Sequence, residues 1–473
     1  MSRAAQGLQS AALMTDLRRP PAVLVSVQTP ERTNEQHASD LLELGRLVDT
    51  LGYDVVATLS QKRESLSKST VLGEGKLREL AELTGGKGTV GSSAPQKKDK
   101  ARQRRGEVED EAPELPDEED EDDDGPRRPR HVIVDHEITP SQARDLEKAT
   151  GATVLDRTGV IVEIFHRHAR SREARLQVEL ARLAYVSPRL REAGGPSERQ
   201  AGRGAGDTSL ALDRRKVRDR MAEIRHELAT IQRDEGTRRS SRHGTPSVAL
   251  VGYTNAGKSS LMRALTGSDV LVADQLFATL DTTVRALYPD SHPKILISDT
   301  VGFIQKLPHD LVASFRSTLD EARDAALLLY VVDASDPTFR DEYAVTRAVL
   351  REIAADDSPS RLILNKIDQV EPDQREALRA EFPDAILMSA LDREDVARLR
   401  ETLIEEVAKT LTEAELFVPY DQHAVTAALH EHALVLTEKH EDEGTRLTVR
   451  APAELLERLR AQLVSASSRR DVP

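Results

Sequence analysis

Gly252-Tyr253-Thr254-Asn255-Ala256-Gly257-Lys258-Ser259 is the stretch whose reading decides the fold of this chain. It follows the apolar run Pro246-Ser-Val-Ala-Leu-Val251 and leads into the helix-like Ser260-Leu-Met-Arg-Ala-Leu265. Strand, glycine loop and helix in that order make the spacing a phosphate cradle. Gly252 and Gly257 let the backbone curl so that successive N–H groups face phosphate oxygens, and the helix start adds its partial positive charge. Lys258 has the reach for the β- and γ-phosphates, and the Ser259 hydroxyl suits Mg²⁺.

The base is read downstream. Asn365-Lys366-Ile367-Asp368 follows the apolar Arg361-Leu-Ile-Leu364. That predicts it at the C-terminal end of a strand, the edge where open parallel sheets bind ligands. A carboxylate there accepts both N1–H and N2–H of guanine, whereas adenine offers no matching donor pair. Asp368 is therefore expected to select guanine, with Asn365, Lys366 and Ile367 shaping the pocket. Ser389-Ala390-Leu391, after the strand-like Ala385-Ile-Leu-Met388, fits the loop that closes over the guanine oxygen.

Two further elements belong with these. Asp299-Thr300-Val301-Gly302 ends the predicted strand Lys294-Ile-Leu-Ile-Ser298, which places Asp299 to hold Mg²⁺ through water and the Gly302 backbone to sense the γ-phosphate. Phe277-Ala278-Thr279-Leu280-Asp281 falls in an expected loop past the cradle and offers Thr279 as a second hydroxyl ligand. Thr282 and Thr283 are neighbouring candidates, and spacing does not choose among the three. Lys258, Thr279 and Gly302 form the expected catalytic set, because phosphoryl transfer needs metal, charge clamps and a positioned water more than covalent chemistry. Phe303 follows Gly302, where many GTPases place a water-orienting glutamine, and an aromatic ring cannot align a water by hydrogen bonding. Slow intrinsic hydrolysis, accelerated by a partner or an ion, is expected. Asn255 is a turn residue by type; it also resembles the asparagine of potassium-stimulated GTPases, whose carbonyl oxygen helps hold K⁺.

At 473 residues the chain has room for about three domains. It contains no cysteine, which excludes disulfides, thiolate metal sites and cysteine nucleophiles. With aromatics at 3% and no tryptophan, its cores must be built from Leu, Val, Ile and Ala. No apolar stretch approaches the roughly 20 residues that span a bilayer, and the first residues lack a signal-peptide core, so a cytoplasmic location is expected. The net charge of −14 is unevenly spread: residues 167–242 hold 19 Arg and Lys against 11 Asp and Glu. A local excess of +8 in an acidic chain points to nucleic acid better than the total does.

The pattern predicts α/β architecture in several pieces. Residues 1–20 read as disordered. Strands at 21–27, 54–59 and 131–135, a helix at 34–51 with Leu41, Leu42, Leu44 and Leu47, a Gly73-Glu-Gly75-Lys76 turn before a short helix, and a helix capped by Thr139 with Pro140 first imply an N-terminal α/β subdomain over 21–170 with a parallel sheet. Residues 85–130 interrupt it with a charged insertion holding 13 acids and no base over 107–124; it is expected to be disordered, either a solvated tether or an intramolecular mimic of RNA. Over 171–240, a helix through Leu176, Leu180, Leu183 and Leu190 and a second with Val217, Met221, Ile224, Leu228 and Ile231 predict an antiparallel hairpin, apolar within. Its basic face at Arg214, Arg215, Lys216, Arg218 and Arg220 suits phosphate contact. The GTPase domain with its mainly parallel sheet is expected over 246–411, and a small α+β domain over 415–473.

These residues resemble the HflX family of translation-factor-type GTPases from about residue 21 to 463. The specific stretches are Leu155-Asp-Arg-Thr-Gly159, Ile161-Val-Glu-Ile-Phe165, Arg172-Glu-Ala-Arg-Leu-Gln-Val-Glu-Leu-Ala181, Pro188-Arg-Leu190, Asp213-Arg-Arg215 and the segment at Phe277. The resemblance favours Thr279 as the Mg²⁺ threonine. It implies a monomer that hydrolyses GTP to GDP, binds the large ribosomal subunit and its rRNA, and separates stalled ribosomes, often under stress. ATP binding and RNA unwinding by the N-terminal domain are claimed for some members. The chain departs from the family at Gly204-Ala-Gly206-Asp207-Thr-Ser-Leu-Ala211, where the usual Gly-Glu pair and following Thr-Gln-Leu-Glu lose one carboxylate and shorten another. Besides the ribosome-binding factor, two readings stay open: an ATP-driven RNA remodeller resting on the Gly73 turn, and a GTPase that times ribosome assembly with protein partners.

Overall fold

β1 (Pro21–Gln28) is buried along almost its whole length, the pattern of a strand covered on both faces of a parallel sheet. The structure, a computed structural model, describes residues 19–66, 70–89, 128–192, 206–242, 245–268, 276–277, 283–305, 316–352 and 358–470. The chain divides into two compact units, Met1–Val160 and Ile161–Pro473.

In the first unit β1 pairs in parallel with β2 (Asp54–Lys62) and β3 (His131–Val134), and β4 (Thr153–Asp156) extends the sheet, giving the order β2-β1-β3-β4. The sequence did not predict β4, because four residues carry no readable period. Helices α1 (Asn34–Thr50) and α3 (Pro140–Thr150) each start with a capping box, at Thr33 with Gln36 and at Thr139 with Gln142, which satisfies otherwise orphaned N–H groups. The buried face of α1 is His37, Asp40, Leu44, Leu47 and Val48, while Leu42 is 68% exposed; the leucine-based reading had it facing inward. A second correction concerns the expected turn at Gly73: α2 (Glu74–Thr84) already contains Gly75 and Lys76, and Lys76 pairs with Glu79 at 2.7 Å. The edges of the expected insertion also belong to the fold, since Gly88 N–H donates to the Ala149 carbonyl at 2.9 Å. Residues 90–127 lie outside the described residues, as do 1–18. At the sheet's C-terminal edge the buried Arg157 guanidinium is held by Asp135 at 2.9 Å and by Glu43.

The second unit takes in the later part of α4 (Arg157–His168) and then a pair of long helices, α5 (Arg172–Glu192) and α6 (Gly206–Arg242). Leu176, Ile224 and Leu228 pack between them, with Leu180, Leu183 and Ile231 at the margins. Arg172 bonds Glu227 and Arg220 bonds Glu179, so the helices run antiparallel. Arg220, read as a phosphate contact, is instead committed to Glu179 and Glu223, at 2.7 and 3.3 Å. The loop expected at 194–206 lies outside the described residues except Gly206, which opens α6.

A six-stranded sheet follows, built from β5 (Ser247–Gly252), β6 (Thr283–Ala286), β7 (Leu296–Asp299), β8 (Leu327–Asp333), β9 (Ser360–Asn365) and β10 (Ile386–Leu387). Its order is β10-β9-β8-β5-β7-β6, parallel throughout except for β6. Helix α7 (Lys258–Thr266) packs Leu261, Met262 and Leu265 into the core of this sheet beside Val248, Leu250, Ile297 and Leu329. Helices α8 (Arg316–Arg323), α9 (Phe339–Glu352), α10 (Pro372–Glu381) and α11 (Arg393–Thr410) complete this part. The last piece is antiparallel: β11 (Thr412–Pro419), β12 (Leu434–Glu441) and β13 (Gly444–Ala451), ordered β11-β13-β12. Helices α12 (His423–His432) and α13 (Ala453–Arg470) pack Leu429, Leu455 and Leu459 against Leu416, Val418, Leu447 and Val449.

Candidate functional site

The chain leaves β7 and β8 on opposite sides of β5, and the crevice at such a reversal is where open parallel sheets hold ligands. The carboxyl ends of adjacent strands there present Asn365 from β9, Asp333 from β8, Gly252 from β5 and Asp299 from β7. Every described residue that the sequence assigns to the phosphates lies at this edge or in the loops leaving it.

Two glycines are required by the backbone. A Cβ on Gly252 would lie 2.1 Å from the Val331 carbonyl oxygen, and Gly257 sits at φ 93 with its would-be Cβ 2.2 Å from Asn365 Nδ2. Asn255 also adopts a left-handed conformation, φ 60, which asparagine tolerates better than most residues, so the turn role read for it is present. Ala256 is buried. The Lys258 ammonium folds back into the loop and donates to the carbonyls of Gly252 at 3.0 Å and Tyr253 at 2.6 Å. Burial pushes its pKa down to about 8, against the attraction of the Asp299 and Glu342 carboxylates. A buried cation held in a tight cradle of backbone is suited to an anionic ligand.

Ser259 Oγ donates to Asp299 Oδ2 at 2.8 Å, bringing together two groups 40 positions apart. Thr300, assigned to the same site, turns its hydroxyl to the Leu250 carbonyl at 2.7 Å and serves the sheet. Val301 and Gly302 are buried against the cradle, and Phe303 is buried too, paired with Tyr253 in a parallel bridge. Thr279, Ala278, Leu280, Asp281 and Thr282 lie outside the described residues; Thr283 begins β6. Phe277 is described. It holds φ 59 and packs its ring edge-on against Phe165 of α4, centroids 4.6 Å apart. Nothing in the sequence signals that contact.

At the end of β9 Asn365 is a staple. Its Nδ2 donates to the Ala256 carbonyl and its Oδ1 accepts from Ala390 N–H, each at 2.9 Å. Lys366, at φ 59, pairs with Asp333 at 2.7 Å. Asp333, which the sequence reading did not assign, also holds Ser335. Asp395 was missed as well: its carboxylate accepts from Ser389 N–H at 2.8 Å and so fixes the loop of Ser389, Ala390 and Leu391. Leu391 is 82% exposed, and its N–H donates to Ser389 Oγ at 3.3 Å. Ile367 and Asp368 form a 3₁₀ turn with Gln369 in which Asp368 is exposed.

Comparison with known proteins agrees with this geometry. Residues 247–366 match the family model described as 50S ribosome-binding GTPase, residues 168–242 the GTP-binding GTPase Middle Region, and residues 38–90 with 122–166 the GTP-binding GTPase N-terminal model. GTPase HflX of Gluconacetobacter diazotrophicus is 60% identical over 447 residues, covering 94% of this chain and 98% of that protein. GTPase HflX of Caldanaerobacter subterraneus subsp. tengcongensis is 36% identical over 450 residues, 94% of each. The Escherichia coli GTPase HflX is 34% identical over 440 residues, 91% of this chain and 93% of that protein. A guanine-nucleotide cradle in a mainly parallel sheet, together with this identity along nearly the whole length, makes the chain a GTP hydrolase that belongs to the HflX family of GTPases.

Proposed function

We propose that this GTPase docks on the large ribosomal subunit in its GTP state, separates stalled ribosomes in the cytoplasm, and leaves after hydrolysis. The reading is supported by the match of residues 247–366 to a 50S ribosome-binding GTPase model. The exposed Arg215, Lys216 and Arg218 on α6 supply cations for rRNA phosphates. Among the described residues no helix is long and apolar enough to cross a membrane.

Within the site, Lys258 reaches the β- and γ-phosphates, the Gly302 backbone senses the γ-phosphate, and Asp368 accepts from guanine beside Asn365 and Ala390. The pairing of Ser259 Oγ with Asp299 Oδ2 is a hard-oxygen donor set that fits magnesium; Ser259 and Thr279 would hold the ion and Asp299 would hold it through water. Bound there, Mg²⁺ supplies neutralisation of charge on the phosphate oxygens. Asn255 is proposed to hold K⁺ as well as the turn. If so, exchanging KCl for NaCl slows turnover in the wild type but not in Asn255→Ala; equal rates in both salts remove the ion.

Cosedimentation with purified large subunits tests the docking. The expected result is retention with a non-hydrolysable GTP analogue and release with GDP. Each Lys or Arg that neutralises a phosphate contributes about 0.7–0.9 to the slope of log affinity against log salt. Replacing Arg214, Arg215 and Arg218 by Gln should therefore flatten that slope by up to about 2–3, with GTP binding nearly untouched. Unaltered slope and affinity would leave the hairpin a solvated coiled coil. The remodelling alternative rests on the stretch at Gly73, where Gly73 is the N-cap and Gly75 and Lys76 lie in the first turn of α2; nucleotide titration of the full-length protein with ATP tests it.

A further inference from the structure

Phe303 cannot orient a water, and the groups ordering the backbone around it come from the cradle. Thr254 N–H donates to the Phe303 carbonyl at 2.8 Å, and Phe303 N–H donates to the Gly252 carbonyl at 3.1 Å. Two residues beyond this short parallel ladder, the Tyr253 hydroxyl accepts from Gln305 N–H at 2.7 Å. The groups beside it are buried: Tyr253 is 5% exposed, Phe303 3% and Ile304 1%, while Gln305 is half-buried. Its effect falls on Gly302, whose would-be Cβ is 3.1 Å from Lys258 Nζ and 2.8 Å from Thr254 Cγ2. The backbone that precedes Phe303 is therefore held directly beside the cradle's cation. Backbone ladders fray at their ends because the last N–H has no neighbour to align it. Here the phenol closes that end.

We propose that Tyr253 is a positioning residue for GTP hydrolysis: its hydroxyl holds the segment from Gly302 to Gln305 against the P-loop, so that the Gly302 backbone meets a γ-phosphate and GTP is distinguished from GDP. Tyr253 acts through Gly302 and not on the substrate. The proposal rests on the placement of Lys258 and Gly302 at the γ-phosphate. It accounts for a buried tyrosine in the phosphate loop, and for the closeness of Gly302 to Lys258 without a glutamine.

Tyr253→Phe keeps the buried ring and removes the hydroxyl that accepts from Gln305 N–H. With the full-length protein, binding of fluorescent GMPPNP should weaken about three- to tenfold, the span of one ordinary hydrogen bond, while fluorescent GDP changes by less than about twofold. The kcat for GTP should fall, and the melting temperature of the nucleotide-free protein verifies that the fold survives. Equal weakening for both nucleotides would make the tyrosine a support of the P-loop and overturn the proposal, as would no change in either. Lys258→Ala, measured alongside, keeps the two failures apart. Undiminished GMPPNP binding in that variant would overturn the site reading itself. Its loss, combined with an unaffected Tyr253→Phe, would overturn the role of Tyr253 alone.

Discussion

Asp368→Asn is expected to exchange guanine specificity for xanthine. The other polar groups of its motif are engaged within the protein: Asn365 binds Ala256 and Ala390, and Lys366 binds Asp333. Asp368 is left exposed on a 3₁₀ turn, so the variant alters base recognition with little disturbance of the fold. A carboxylate accepts two hydrogen bonds from guanine, and each bond to a charged group contributes about 1.5–3 kcal/mol. Losing both should weaken GTP binding roughly a hundredfold or more, since about 1.4 kcal/mol is tenfold. The amide can donate to the xanthine oxygen, so xanthosine triphosphate should bind better to the variant than to the wild type. Competition titration against fluorescent GDP reads both changes. Unchanged GTP affinity would remove Asp368 from the base pocket.

Gly252→Ala should abolish nucleotide binding and destabilise the protein, whereas Gly75→Ala should do neither. Gly252 pairs with Val331 in the parallel register of β5 and β8, and its added Cβ would sit 2.1 Å from that residue's carbonyl oxygen. Neither backbone can retreat, because β8 is also hydrogen-bonded to β9 on its far side. Overpacking of this kind costs about 1–3 kcal/mol or more, and any relief moves the loop that must face the phosphates. Gly75 lies inside α2 with nothing within 4 Å of its would-be Cβ. There alanine should gain up to about 1 kcal/mol of helix stability. Thermal melts and fluorescent GDP titration of the two variants separate the glycine loops. Normal GDP affinity in Gly252→Ala would contradict the cradle geometry.

The contrast between those two glycine stretches marks what sequence reading handles well. Around Gly252 an apolar strand on one side and a helix on the other point to one local conformation, and the structure has it. Around Gly73 the same residue types lacked an immediately preceding strand, and the helix starts at Glu74 and takes in the second glycine. The helix start at Thr139 is read from a capping hydroxyl with proline at the first helical position, a signal contained within one turn, and the structure has both. Leucine spacing in α1 was less decisive, since it does not tell which side the sheet covers, and Leu42 faces outward. Likewise a run of arginines does not reveal that Arg220 faces Glu179 across the hairpin.

By itself, then, the sequence determined the α/β class, the P-loop and the helical hairpin, because each is carried by contiguous residues through backbone conformation, capping or apolar period. Only the tertiary structure decided which groups meet across the site. Asn365 bonds Ala256 across 109 positions, Ser259 bonds Asp299 across 40, and Tyr253 bonds Gln305 across 52. Those meetings depend on β5 lying between β7 and β8. Strand order is set by the burial of whole faces and by the paths of the connections, and no local run of residues encodes it.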